Sequence, residues 1–173
     1  MLKALANLLK ILNSETHPGQ ISLACCLAMV AGFTPFWSLH NLLVLLLVLL
    51  VRVNLSAFIL GLTFFSGLAY LLDPLFHRIG LAALTAGSLE GLWTALYNST
   101  LWRIERFNNS IVMGSLLFSL LLFLPLYLVL NLGIRRYRVH VLAWVEKTRL
   151  MQVLKASRFY SLYQSVSGWG IGV

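Results

Sequence analysis

The apolar positions of this chain fall into long blocks separated by short polar or proline-marked breaks. Residues 1–14, MLKALANLLKILNS, follow a helical period. Lys3, Asn7, Lys10 and Ser14 share one face, and Leu2, Leu5, Leu9 and Leu12 the other. The pattern predicts an amphipathic helix lying flat at a membrane interface, with a helix packed on its own protein as the alternative. His17-Pro18-Gly19 should then redirect the chain. Two apolar runs follow, a small-residue-rich one at Gln20–Thr34 and a leucine-rich one at Trp37–Val51. Each is about 15 residues, or about 22 Å of helix at ~1.5 Å per residue. A hydrocarbon core of about 30 Å wants roughly 20 residues, so each run is short for a full crossing. Pro35 lacks an amide hydrogen and pushes Thr34 out of the helical region, which predicts a break at Gly32–Pro35. Residues 18–54 therefore read as a broken helical hairpin, re-entrant or built from two short tilted spans. Non-helical backbone at membrane depth survives only when protein or a water-filled cavity shelters it.

Further along, Arg52-Val53-Asn54 reads as a return to the cytoplasmic interface, where Arg52 can snorkel. Residues 55–72 are predicted to span outward and to stop at Asp73-Pro74, with Gly61 and Gly67 open to close helix approach. Residues 79–97 read as a helix packed on the bundle or lying at the interface, with a further span as the alternative. Ala83, Gly87, Gly91 and Ala95 recur every fourth residue there, a spacing that permits tight packing. Residues 98–109 read as a polar loop with an aromatic belt at Trp93, Tyr97, Trp102 and Phe107. Residues 110–134 are the clearest span, kinked at Pro125, with Ser119 or a neighbouring helix expected to take the freed carbonyl. Residues 135–173 read as a basic, loosely amphipathic cytoplasmic tail. The fold class expected is all-α: one polytopic membrane domain over 1–173, with at least two transmembrane helices and interfacial helices at both ends.

Composition sharpens this picture. Of 173 residues, 60% are hydrophobic and 10% charged, against about 25% charged in soluble domains. Mean hydropathy is +0.87. The net charge of +8 gathers outside the apolar runs, at Lys3, Lys10, Arg135, Arg136, Arg138, Lys147, Arg149, Lys155 and Arg158. The positive-inside rule accounts for it and places both termini in the cytoplasm, so no nucleic-acid partner is inferred. Cys25 and Cys26 are neighbours in an apolar run and read as small buried hydrophobes rather than a disulfide or metal site.

Polar groups inside a bilayer are costly and each needs a reason. His40 and Asn41 follow the break. They could face a polar cavity and contact a lipid head group or a partner, or His40 could simply donate to a carbonyl freed by Pro35. Arg52 could hold a phosphate or act as an interfacial anchor. There is no GxSxG, HExxH, glycine-rich phosphate loop or carboxylate pair, and the four histidines lack ligand spacing. No catalytic residue, cofactor or metal site is expected.

The ordered series His17-Pro18, Ala31-Gly32-Phe33-Thr34-Pro35, Trp37 to His40, and the leucine run ending in Arg52-Val53-Asn54 resembles a family of small bacterial inner-membrane proteins, domain of unknown function 2062. The likeness covers roughly residues 15–80. That family continues with an Asn-Pro pair; here Thr63–Gly67 reads TFFSG, with neither residue, which marks a divergent branch. The resemblance implies a bacterial inner-membrane location, no established catalysis, and pairing with a larger envelope protein that has one membrane anchor. The function expected is that of a non-enzymatic envelope-complex subunit that docks a partner helix and handles lipid. Its contact candidates are Gly32, Pro35, Trp37, His40, Asn41, Arg52, Asn54, Gly87 and Gly91. Its partners are membrane lipids and the anchored protein, with self-association left open. A transporter or channel using the broken hairpin is the rival reading, although no convincing inverted repeat is present.

Overall fold

In the computed structural model, residues 16–104 and 106–142 are described, and they are entirely helical apart from turns and connecting loops. The amphipathic helix expected over 1–14 and the tail beyond residue 142 lie outside the described residues. The chain divides into two compact units, Met1–Leu132 and Gly133–Val173. Within the described part of the first unit, helix α1 (Pro18–Phe33) and helix α2 (Leu39–Leu50) form the hairpin. Helix α3 (Leu55–Leu84) leads to a 3-10 turn (Gly87–Leu89) and to the short helices α4 (Glu90–Tyr97) and α5 (Thr100–Ile104). Helix α6 (Ser110–Arg136) begins in the first unit and ends in the second, whose described part continues as a π-helical stretch, Tyr137–Leu142.

His17-Pro18 opens α1 because Pro18 is preset for the first helical turn and the His17 Nδ1 accepts from the Gly19 amide at 3.1 Å. α1 is the core of the unit: Ile21, Ala24, Cys26, Leu27, Ala28, Met29, Val30 and Phe33 are all buried. Its neighbours come from two directions. The Asn54 amide approaches the Gln20 carbonyl (3.5 Å), Gly61 faces Ala28, and Gly32 faces Phe65, so α1 and α3 run parallel. Gly19 faces Tyr127, the Cys26 thiol donates to the Phe123 carbonyl (3.5 Å), and Phe33 meets Phe118, so α6 runs antiparallel to α1. Small residues allow these approaches. A Cβ on Gly61 would lie 2.9 Å from that of Ala28, and one on Gly32 would lie 2.8 Å from that of Phe65. Gly67, expected to do the same work, has open space beside it.

α3 and α6 meet at Gly80 and Gly114. A Cβ on Gly80 would overlap the Ser110 carbonyl, and one on Gly114 would overlap the Phe76 carbonyl. The backbones touch there, and the His77 Nδ1 and Ser110 Oγ, 2.7 Å apart, add a polar link across the crossing. Phe76 is fully buried beside it, with rings from Phe33 (5.2 Å) and Phe118 (5.5 Å) around it.

Three expectations are corrected. The span of 55–72 does not stop at Asp73-Pro74: α3 continues through Pro74 to Leu84. Proline costs one helical bond, which membrane helices tolerate when neighbours re-satisfy the chain. Residues 79–97 are not one helix. Thr85 closes α3 by bonding Leu81 through both amide (2.9 Å) and hydroxyl (2.8 Å), and Ala86 is extended (φ −68°, ψ 112°). The loop of 98–109 contains α5, and the Asn109 side chain caps α6 by accepting from the amides of Ile111 (2.9 Å) and Val112 (3.3 Å).

Among the described residues two helical stretches, Leu55–Leu84 and Ser110–His140, are long and apolar enough to cross a membrane. A core helix of a soluble protein passes the same test when it is mostly buried; here only 11% and 28% of the two apolar windows are buried. α2 likewise buries only Asn41, Val44 and Val48, and leaves Leu42, Leu43, Leu46, Leu49 and Leu50 exposed. So much uncovered leucine points to a membrane protein.

Candidate functional site

The hairpin tip is built around one side chain. α1 ends at Phe33 because Pro35 has no amide to offer the Ala31 carbonyl. Asn41, only 2% exposed, supplies the missing donor. Its Nδ2 donates to the Ala31 carbonyl (3.3 Å) and to the Pro35 carbonyl (2.9 Å), which uses both amide hydrogens. The buried Thr34 hydroxyl lies 2.7 Å from the Val30 carbonyl and 3.0 Å from Asn41 Oδ1, so its one proton is shared between two acceptors. The task foreseen for His40 thus falls to Asn41, and this commits Asn41 to closing the tip rather than to a ligand. His40 Nε2 instead sits 3.0 Å from Ser38 Oγ, half-buried. Beyond the break, Pro35, Phe36 and Trp37 project outward. The Trp37 ring, 94% exposed, stands edge-on to Phe36 at 5.4 Å.

The hairpin base is a second polar knot. Asn54 caps α3 by accepting from the Ala57 amide (2.8 Å), and its Nδ2 donates to Thr16 Oγ1 (3.3 Å). Arg52, two residues earlier, is exposed. Gly87 and Gly91 lie far from both knots in sequence, in the 3-10 turn and α4, with open space where a Cβ would stand. Gly32 is buried in the α1–α3 contact. The structure therefore brings Gly32, Pro35, Trp37, His40 and Asn41 together at the tip, sets Arg52 and Asn54 at the base, and leaves Gly87 and Gly91 apart.

What the sequence reading missed is the cleft beside the tip. Leu39, His40 and Leu43 of α2 form one wall, Trp93 and Leu96 of α4 another, and Trp102, Phe107 and Met113 close it, around a volume of about 340 Å³. Three belt aromatics thus converge on one hollow. The Trp93 indole donates to the Ala83 carbonyl (3.0 Å) and its ring lies 6.1 Å from Phe107, which fixes α4 against the end of α3. Arg103 follows Trp102 and Arg106 precedes Phe107; both are exposed. Arg106 has φ 54°, the left-handed region that non-glycine residues rarely adopt, and its carbonyl accepts from the Asn109 amide (2.9 Å). Among the described lining residues, His40 is the one polar side chain besides the two indoles. Among the described residues no cluster of three metal-ligating side chains occurs.

A family model described as "Uncharacterized protein conserved in bacteria (DUF2062)" matches residues 3–142. The chain belongs to the DUF2062 family. This DUF2062 protein is 28% identical over 141 residues to an uncharacterized protein of Treponema pallidum (strain Nichols), covering 82% of this chain and 87% of that one. No solved structure matches it. The family match spans the hairpin, the cleft and both long helices, so the described site lies within the shared region.

Proposed function

We propose that this DUF2062 protein is a non-enzymatic bacterial inner-membrane subunit of an envelope complex. Its hairpin is re-entrant, and it receives an apolar guest, a lipid chain or a partner's membrane helix, beside the hairpin tip. The observation that carries this reading is the aromatic-walled cleft between α2 and α4, set against an exposed leucine surface and holding His40 among its described lining residues. Such hollows with few polar groups are the usual form of small-ligand sites. One feature weighs against a channel or transporter. Freed carbonyls line substrate sites in broken-helix transporters, whereas here the Ala31 carbonyl at the break is taken up internally by Asn41. The short α1 and α2, about 24 and 18 Å long at ~1.5 Å per residue, suit a hairpin that enters and leaves by one face. Both termini then lie in the cytoplasm, at the end where Arg52 and Asn54 sit.

Native mass spectrometry of protein extracted in mild detergent tests this. Phospholipid or a defined partner should stay bound to the wild type and be depleted in Leu43→Phe, which narrows the cleft. A chain that always isolates alone and bare of lipid refutes the reading, as does solute flux through liposomes that His40→Ala abolishes.

A further inference from the structure

The cleft's neighbours specify its guest more narrowly. We infer that the cleft holds one acyl chain of an anionic phospholipid, with the head-group phosphate held by Arg103 and Arg106; this rests on the lipid-binding form of the function proposed above. The walls supply the first argument. Apart from His40 they are leucines, valine, methionine and aromatic rings, and they continue onto the exposed leucines of α2, so a chain can enter from the hydrocarbon without crossing water. A volume of about 340 Å³ sits at the small end of ligand cavities, which run from about 300 to 1,000 Å³. It suits a flexible chain inserted end-on rather than a whole folded segment. The second argument is charge. The two exposed arginines lie in the sequence between the wall residues Trp102 and Phe107, and guanidinium groups match phosphate oxygens in pairs. Glu105 stands between the two arginines in the sequence and leaves that segment one net positive charge, while Glu90, three residues before Trp93 on the opposite wall, adds a negative charge there, so the arginine side is favoured. The third is depth. Trp93 and Trp102 mark the level where indole rings settle in bilayers, between acyl chain and head group. A tail in the cleft and a phosphate at Arg103 and Arg106 satisfy both at once.

Tryptophan quenching reads this directly. The full chain, with Trp37, Trp144 and Trp169 replaced by phenylalanine, retains only the cleft indoles Trp93 and Trp102. It is reconstituted in phosphatidylcholine vesicles that carry a minor fraction of lipid brominated on its acyl chains, either phosphatidylglycerol or phosphatidylcholine. Brominated phosphatidylglycerol should be enriched at the indoles by about fivefold or more, the scale of one basic side chain near an anionic lipid. Arg103→Gln with Arg106→Gln should equalise the two lipids, and both positions are exposed, so folding is not at stake. Leu43→Phe should reduce quenching by either lipid. Equal quenching in the wild type, or selectivity that survives the double arginine variant, overturns the anionic-lipid assignment and leaves the broader lipid reading standing. No quenching above that of a free indole in the same vesicles overturns both.

Discussion

Pro35 and Pro74 are the same residue type in the same kind of apolar surroundings, yet one ends a helix and the other sits inside one. The difference lies in what surrounds the lost hydrogen bond. After Pro35 the chain runs through Phe36, Trp37 and an extended Ser38 (φ −124°, ψ 153°), and Asn41 folds back onto the Ala31 carbonyl that Pro35 cannot serve. The break is therefore braced by its own side chains, Thr34 and Asn41. Among the described residues no side chain does the same for Pro74. Instead Phe76 and Gly80 are clamped against Gly114 on α6 within two turns, and the helix has nowhere to turn. A proline permits a break; the residues that follow decide whether one is made.

The largest effect should come from the clamp. Gly114→Val places side-chain atoms into the Phe76 carbonyl and should destabilise the fold by about 3 kcal/mol, at the upper end of overpacking costs. Thermal or denaturant unfolding in detergent would measure it. A loss under about 1 kcal/mol would mean that the crossing is loose and cannot hold α3 straight. Next comes the tip. Asn41→Leu keeps the bulk but strands the buried Ala31 carbonyl and removes the Thr34 hydroxyl's second acceptor, for a loss of about 2 kcal/mol. Amide exchange at residues 34–38 should rise selectively, while α3 stays protected. Ser110→Ala removes the partner of His77 and should cost about 0.6 kcal/mol, typical of an interhelical bond in a membrane protein. The smallest change should be that of Pro74→Ala, within about 0.5 kcal/mol with α3 intact, because the neighbours already hold that stretch. If Pro74→Ala instead moved stability as much as Asn41→Leu, the contrast between the two prolines would fail.

The position of the break was legible in the sequence because it follows from covalent chemistry at Thr34-Pro35. So was the close approach at Gly61, and so was the span from residue 110, whose apolar length leaves few alternatives. The role of Asn41 was not legible. Its polarity marked it as significant, but periodicity gives no way to choose between adjacent His40 and Asn41 as the donor that folds back. The small-residue stripe at Ala83, Gly87, Gly91 and Ala95 misled for a related reason. A four-residue recurrence implies a shared face only if the helix is continuous, and Thr85-Ala86 interrupts it. Gly80 and Gly114, where two helix backbones meet most closely, are far apart in the chain, and no local pattern pairs them. The cleft was hidden similarly. Its tryptophans read as an interfacial belt, which is a statement about depth, and only the fold shows that three of those rings converge beside His40.

The parallel arrangement of α1 and α3 has a consequence for how the molecule is made. α1 leaves the ribosome first, carrying the faces that meet Gly61 and Phe65 on one side and Phe118 and Phe123 on the other. The last of these is translated about a hundred residues later. Until then the innermost helix of the finished protein has only part of its surroundings, and something else, lipid or an insertion factor, must keep it company. The centre of the fold can thus close only once α6, the last of its helices, has been made.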